Sequence, residues 1–496
     1  MENQDSSVKA PSLKERMIKG SIWMIVMRWS IRGIGLISTL ILARLLTPDD
    51  FGVVAMGMLV VGLMETITAV GVEAALLRTT DTTDKHFNTA WTFRLLQAIF
   101  VASVLFLSAE YVADYFDDER VVLVIQILAA GILLGGFENI GVVEFRKKLQ
   151  FSKDFKFEVI KKISTFVITL TLAFTLESYW ALIAGIVCGK LFGVVYSYLL
   201  HPYRPKFSFS KGKELWGFSQ WMLAINIGQF ANRKIDEIVI GGNFDTATMG
   251  TYSVSSEISA MPTTEVIMPL SRALLPGYAQ LAKEPERINA AFVNVLSFVL
   301  LFSIPAAYGV GLVAEDLVHV LLGEKWIEAI PFIKWLAVLG AAAAIISIVT
   351  NLLIVFKKEK MLALLGWINV ILITPALFFA AEQGGVEGVA MTRVAFILVF
   401  TATIFYILIR ITGIPISTII SISWRTCIAS ICMGIAIQGL DVFQIENHFL
   451  SLLIDAVVGA ITFSLSALIL WILCKKPSSA ERTIVEFVFS KIKKSH

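Results

Sequence analysis

Apolar residues run along this chain in long stretches, without the strict alternation of half-buried strands or the narrow stripe of a soluble amphipathic helix. Polar breaks separate about fourteen of them, near 17–46, 51–75, 88–109, 121–143, 158–176, 179–200, 215–242, 250–275, 288–313, 327–356, 361–381, 386–410, 420–440 and 450–473. Each is close to the roughly 20 residues that a helix needs to cross a bilayer, which predicts an all-α polytopic membrane protein and not a barrel. The thirteenth stretch departs from the rest, because Arg425 interrupts it and the preceding "PISTIISIS" suits the membrane interface.

The connections between these stretches alternate in charge. One set carries Arg78 and Lys85, the run Arg146, Lys147, Lys148, Lys153, Lys156, Lys161 and Lys162, then Arg204, Lys206, Lys211 and Lys213, the cluster Lys357, Lys358 and Lys360, and Lys475 and Lys476. The other set, including "LLTPDD", "AEYVADYFDDER" and "AEQGGVEG", is acidic or neutral apart from Arg120 and Lys325. By the positive-inside rule the basic set is cytoplasmic, which predicts an even number of spans with both termini in the cytoplasm. A shift of 198 residues places Trp23 on Trp221, Ser21 on Ser219, Leu42 on Ile240 and "FGVV" from Phe51 on "MGTY" from Met249. Six spans separate the copies, so both face the same way, as in transporters built from parallel repeats. The predicted organisation is a cytoplasmic segment 1–16, an N-lobe of six spans over 17–200, a basic linker 201–213, a C-lobe of six spans over 214–411, two further spans over 412–474, and a cytoplasmic tail 475–496.

Composition agrees with the pattern and narrows the function. Of 496 residues, 56% are hydrophobic and 16% charged, against roughly 25% charged in soluble domains. Mean hydropathy is +0.76, and no segment remains for a sizeable soluble domain. The polar N-terminus leads into a span too long for a cleaved signal peptide and is expected to be retained. Cys188, Cys427, Cys432 and Cys474 lie in or beside apolar spans without metal or disulfide spacing, and read as packing residues. The nearest match to a phosphate-binding loop, "GIVCGKL", has the wrong spacing and lies inside a span, which argues against ATP hydrolysis. None of the five histidines lies mid-span or shows ligand spacing. No cofactor, metal or nucleic-acid partner is therefore expected.

Ionisable residues inside the spans carry the functional signal, since a charge at the bilayer centre costs about 2.5–3.5 kcal/mol and normally faces a cavity or a partner. Arg28 and Arg32 share a helix face with Ser21, Gly35 and Thr39, and in the repeat copy Ser219, Asn226, Gln229, Arg233 and Asp236 follow the same phase. Three readings stand for the arginines: ligands in a water-filled cavity, members of an internal salt bridge, or side chains snorkelling to the interface. The candidate cavity residues are Arg28, Arg32, Arg94, Asn226 and Arg233. Glu65, Glu73, Asp236, Glu237 and Glu257 are candidates for ion coupling or for salt bridges, with Lys234 and Glu237 suited to a structural pair. Glu138, Lys190, Glu265, Lys334 and Arg393 are further charges within spans. In "LLTPDDFG", Thr47 suits an N-cap, Pro48 the first helical position, and Asp49 and Asp50 the positive end of a helix. The pairs Gly131/Gly135 and Gly185/Gly189 have the spacing that lets helices approach closely.

The opening "GSIWMIVMRWSIRGIGLISTLILARLLTPDDFGVVAMGMLVVGLMETITAVGVEAALL" resembles Wzx-type polysaccharide transporters, above all their WzxC-like branch, within the multidrug/oligosaccharidyl-lipid/polysaccharide exporter superfamily. "LARLLTPDDFG" and the Gly71, Ala74 and Ala75 region carry the resemblance most specifically. It implies two six-helix lobes around a central cavity, with two spans appended. It also implies a flippase that moves an oligosaccharide repeat unit on a polyprenyl pyrophosphate from the cytoplasmic to the periplasmic leaflet of a bacterial inner membrane by alternating access. The implied partners are the lipid-linked oligosaccharide, membrane lipids, H+ or Na+, and the polymerase machinery. Independently, a pyrophosphate needs cationic partners, for which the planar donor fork of arginine is suited. A cation-coupled multidrug exporter of the same superfamily and a membrane polysaccharide polymerase or transferase are the competing readings.

Overall fold

The computed structural model describes residues 13–68, 72–79, 81–215, 220–281, 283–440, 442, 445–477 and 480–492. Gly71 and Ser219 lie outside them, as do the side chains of Ser21, Ala74, Trp221 and Glu265. All regular structure among the described residues is helical. The chain divides into two compact units, residues 1–46 with 56–227, and residues 47–55 with 228–496.

In order, the helices are α1 (Leu13–Leu45), α2 (Pro48–Thr68), α3 (Val72–Arg78), α4 (Asp84–Phe116), α5 (Arg120–Gly136), α6 (Val143–Lys147), α7 (Phe151–Leu176), α8 (Trp180–Leu200) and α9 (Gly212–Leu215). They continue as α10 (Gln220–Asn243), α11 (Thr246–Leu281), α12 (Pro285–Leu312), α13 (Ala314–Leu321), α14 (Ala329–Val355), α15 (Glu359–Thr412), α16 (Ile416–Leu440), α17 (His448–Leu473) and α18 (Ala480–Ile492). Ten of those described are long and apolar enough to cross a membrane, or eleven if Arg120–Gly136 and Ile140–Lys147, bent by 63°, form one span. Every apolar stretch of the sequence meets a helix, and the eleventh and twelfth share α15, which breaks at Gly385 with φ 61°. Positive φ there suits the one residue type without a Cβ penalty. The second stretch is divided, with Glu73 on the separate helix α3 beyond the end of α2 at Thr68.

In the first unit α4 packs on α5, α5 on α8, α8 on α7 and α7 on α1. Small residues make these approaches possible. A Cβ on Gly185 would lie 1.9 Å from Thr169 Oγ1 and one on Gly189 2.1 Å from Thr165 Oγ1, so α7 and α8 meet almost backbone to side chain. The basic segment after α8 does not hang free. It runs extended along α4, where Asn88 Oδ1 accepts from Lys206 N at 2.7 Å and Thr92 Oγ1 from Ser208 N at 3.0 Å. Phe87 meets Tyr203 and Trp91 meets Phe207 along the same track. His86 and Lys211 both hold Glu214 on α9, and these hydrogen bonds, Lys211 first, keep the Glu214 carboxyl below the ordinary carboxylate range.

In the second unit α14 is central, packed on α11, α12 and α15, while α16 packs on α17 and α12. The first turns of α2 belong here. Thr47 caps them as its sequence predicts, with Asp50 N donating to Thr47 Oγ1 at 3.3 Å and Thr47 N to Asp50 Oδ2 at 3.0 Å, a reciprocal capping box. A Cβ on Gly52 would lie 1.8 Å from Thr246 O, and one on Gly250 1.9 Å from Pro48 O. Both partners in this crossing are offset by the 198 residues of the sequence repeat, so α2 and α11 meet through equivalent atoms. α16 runs unbroken through Arg425, whose Nε donates to Glu481 Oε1 of α18 at 3.1 Å with both side chains buried. Pairing with an acid from outside its own helix explains how a span tolerates that arginine.

Candidate functional site

α1 packs on α7, with Trp23 on Phe155 at a ring-centroid distance of 4.8 Å. Arg28 and Arg32 are half-buried on one face of α1. One turn further on, the Cβ position of Gly35 lies 3.8 Å from Lys162 Nζ, so a third cation from α7 adjoins the same face. Lys162 stands eleven residues into α7, about 17 Å along its axis. Among the described residues no carboxylate pairs with it.

A second set of charges in this unit closes into a ring. Arg94 on α4 reaches Glu73 on α3 at 3.7 Å and Glu138, just beyond α5, at 3.5 Å. Glu73 also faces Arg146 of α6 at 3.5 Å, and Arg146 donates to Glu158 of α7 at 3.1 Å. Lys161 completes the circuit, 3.2 Å from Glu158 and 3.7 Å from Glu138. Asp154, buried, accepts from Arg146 Nε at 2.9 Å and fixes that guanidinium from outside the ring. The neighbouring Lys147 ammonium takes the carbonyls of Leu76 and Thr79 and the Thr82 hydroxyl, capping the C-terminal end of α3.

The second unit holds a tighter and drier cluster. Asp236 of α10 and Arg393 of α15 pair at 3.4 Å, with side chains only 5% and 8% exposed. Tyr252 donates to Asp236 Oδ2 at 2.8 Å, and Arg393 Nη2 donates to the carbonyl of Asn232. The Asn232 amide bridges to Gly366 O at 2.8 Å, and Asn369 donates to Asn232 Oδ1 at 2.6 Å. Lys234 and Glu237 pair with each other one helical turn apart. A charge buried this deeply is tolerated because an opposite charge from a second helix faces it and Tyr252 and the Asn232 carbonyl hydrogen-bond the pair, which suits a structural junction of α10 and α15.

Of the residues singled out from sequence, Arg28 and Arg32 lie on the α1 face whose Gly35 adjoins Lys162, and Arg94 joins Glu73. Asn226 is half-buried, while Arg233 is exposed and donates along its own helix, to Gln229 O at 3.2 Å. Glu65 and Glu257 are exposed on α2 and α11, and Asp236 and Glu237 are each in an ion pair. Arg146, Lys161 and Lys162 read in sequence as connection cations and Glu158 carried no signal, because hydropathy places them at the rim of a span without showing which way the helix faces. Asn232, Asn369 and Tyr252 are uncharged and so escaped a search for buried charge. A groove of about 480 Å³ lined by Ile330, Pro331, Lys334, Trp335 and Glu387 includes none of the candidate residues.

Comparison with known proteins was made on sequence and on fold. A family model described as polysaccharide biosynthesis protein matches residues 41–331. The lipopolysaccharide biosynthesis protein WzxC of Escherichia coli K12 is 21% identical over 86% of this chain and 89% of its own. The succinoglycan biosynthesis transport protein ExoT of Rhizobium meliloti is 22% identical over 92% and 94%. Among solved structures, the lipid II flippase MurJ in an inward closed conformation superposes with a TM-score of 0.68 at 13% identity, covering 92% of this chain and 99% of that one. An inward-facing multidrug resistance transporter of the MATE family gives a TM-score of 0.60 at 14% identity, over 77% and 94%.

Proposed function

Since the chain belongs to the polysaccharide biosynthesis protein family, we propose that it is a flippase for lipid-linked oligosaccharide, carrying a repeat unit on a polyprenyl pyrophosphate across a bacterial inner membrane. The observation that carries this reading is the Lys162 ammonium beside the Arg28 and Arg32 face, deep along spanning helices and without a carboxylate of its own among the described residues. That ammonium attracts a ligand that brings negative charge. A pyrophosphate meets that need, while the polyprenyl tail stays in lipid. A multidrug exporter of cationic compounds would instead call for unpaired acids, and here Asp236 and Glu237 already hold cations.

In this reading Arg28, Arg32 and Lys162 hold the pyrophosphate, with Arg94 a further cation of the same unit. Asn226 and Arg233 on α10 are the repeat-related candidates for contacts to the saccharide. Glu65 on α2 and Glu257 on α11 are the candidate acids for coupling to H+ or Na+. The basic connections and both termini face the cytoplasm, and product leaves toward the polymerising machinery on the opposite side.

Two experiments test the proposal together. Deletion of the gene in its host should accumulate the complete repeat unit on lipid carrier at the cytoplasmic leaflet and abolish one surface polymer; unchanged carrier and polymer, in a host without a second flippase, would overturn it. The Arg28→Gln/Arg32→Gln variant, expressed at normal level, should lose more than tenfold in transport, equivalent to about 1.4 kcal/mol or more. Full transport by that variant would remove the two arginines from the site.

A further inference from the structure

Among the three acids of the six-charge ring, Glu73 is the most exposed, 48% against 13% for Glu138 and 21% for Glu158. Its two carboxylate oxygens are divided between two guanidiniums, Oε1 at 3.7 Å from Arg94 and Oε2 at 3.5 Å from Arg146. Neither contact is a hydrogen bond, whereas charge-assisted pairs normally close to about 2.7–2.9 Å. The side chain is 48% exposed and sits on the seven-residue helix α3. Of its partners, Arg146 is held from behind by hydrogen bonds to Asp154 and Glu158, and Arg94 faces Glu138, which Lys161 shares, at 3.5 Å. Arg146 is thus kept in place, Arg94 stands beside it with its donors unfilled, and a loosely held carboxylate lies between the two guanidiniums.

We infer that Arg94 and Arg146 form a phosphate-docking site in which Glu73 stands in for the ligand and is displaced by it. A phosphoryl group presents more oxygens and more negative charge than a carboxylate, and can accept from both forks at once where Glu73 reaches neither. The ligand is the phosphate-bearing head of a membrane lipid carrier. This assignment rests on the flippase reading, and the ring is the place where a diphosphate first meets the protein before the α1 face. Displacing Glu73 opens two ion-pair contacts of the ring, while α3 stays seated on α4 and α6 through Val72, Leu76 and the Lys147 ammonium. A soluble phosphate compound would satisfy the same chemistry, and the test separates the two sources.

The full chain in phosphatidylcholine nanodiscs is titrated with inorganic pyrophosphate, and the titration is repeated in discs that contain a polyprenyl diphosphate. Glu73→Gln, which removes one charge and keeps the shape of a half-exposed side chain, is expected to tighten pyrophosphate binding roughly tenfold. Arg94→Gln is expected to weaken it at least tenfold, and Arg94→Lys, which keeps the charge but loses the fork, by an intermediate factor that carries the test if the glutamine variant does not fold. Unchanged or weaker binding by Glu73→Gln would overturn the inference. Competition by the polyprenyl diphosphate supports the lipid source, and Glu73-dependent pyrophosphate binding without that competition overturns it in favour of a soluble ligand. Lipid flipping by the wild-type chain with pyrophosphate binding insensitive to Glu73 and Arg94 would remove the ring site and leave the flippase reading. Glu73-dependent binding without flipping would do the reverse.

Discussion

Asp236 and Arg393 show how one residue's surroundings decide whether a charge inside a membrane protein works or merely holds. Asp236 shares a helical stripe with Arg233, yet Asp236 is sealed against Arg393 and Tyr252 while Arg233 is exposed. Removing one partner of a buried pair leaves the other uncompensated, at a cost of about 3–5 kcal/mol. Arg393→Met should therefore lower the thermal midpoint of the detergent-solubilised protein sharply, and Asp236→Asn/Arg393→Met should recover much of the loss. An Arg393→Met protein as stable as wild type would show that the pair contributes nothing to the fold. Lys162 is the opposite case, a cation with nothing to hold among the described residues, and its substitution should affect transport more than stability.

Helices meet here through residues that have little or no side chain, and substitutions at those points report on packing between elements. Gly52→Val and Gly250→Val each drive a side chain into the carbonyl of the facing helix, so both should destabilise by at least about 1–3 kcal/mol and by similar amounts, because the two contacts are equivalent under the repeat. A large effect at one and none at the other, measured by thermal unfolding, would deny the equivalence. The extended segment on α4 invites a second measurement. Folding depresses the Glu214 carboxyl through Lys211 and His86, so its contribution is complete above the ordinary carboxylate range and is lost as pH falls through the depressed value. Protection of the Lys206, Ser208 and Lys211 amides, measured against their intrinsic exchange rates at each pH, should accordingly fall as pH drops through the depressed Glu214 value, and Glu214→Gln should remove that dependence.

At the scale of the whole chain, the alternation of basic and acidic connections makes a topological prediction. Alkaline phosphatase fused after Asp117, in the acidic connection that follows α4, should be active outside the cytoplasm, while a fluorescent protein fused to the C-terminus should fold and fluoresce inside. Inactive phosphatase at Asp117 would invert the orientation and with it the direction proposed for transport. The two units share a family and a fold with proteins of known transport class, but their charges differ in kind: a ring with half-exposed members in one, a sealed knot in the other.

Hydropathy, connection charge and the 198-residue repeat determined the helical membrane class, the stretches that become helices and the capped start of α2, because each of these depends on residues close in sequence or on the cost of placing a segment in lipid. The same patterns identified which charges were anomalous. Within one helix they paired Lys234 with Glu237, but they were silent on which anomalies meet across helices, because only packing brings Glu73 and Glu138 to Arg94, Asp236 to Arg393 and Glu481 to Arg425. The break at Gly385 and the docking of the basic segment along α4 were likewise decided by tertiary structure, where a backbone without a Cβ can turn and where side chains of α4 satisfy the N–H groups of an extended strand that sequence alone presents as a linker.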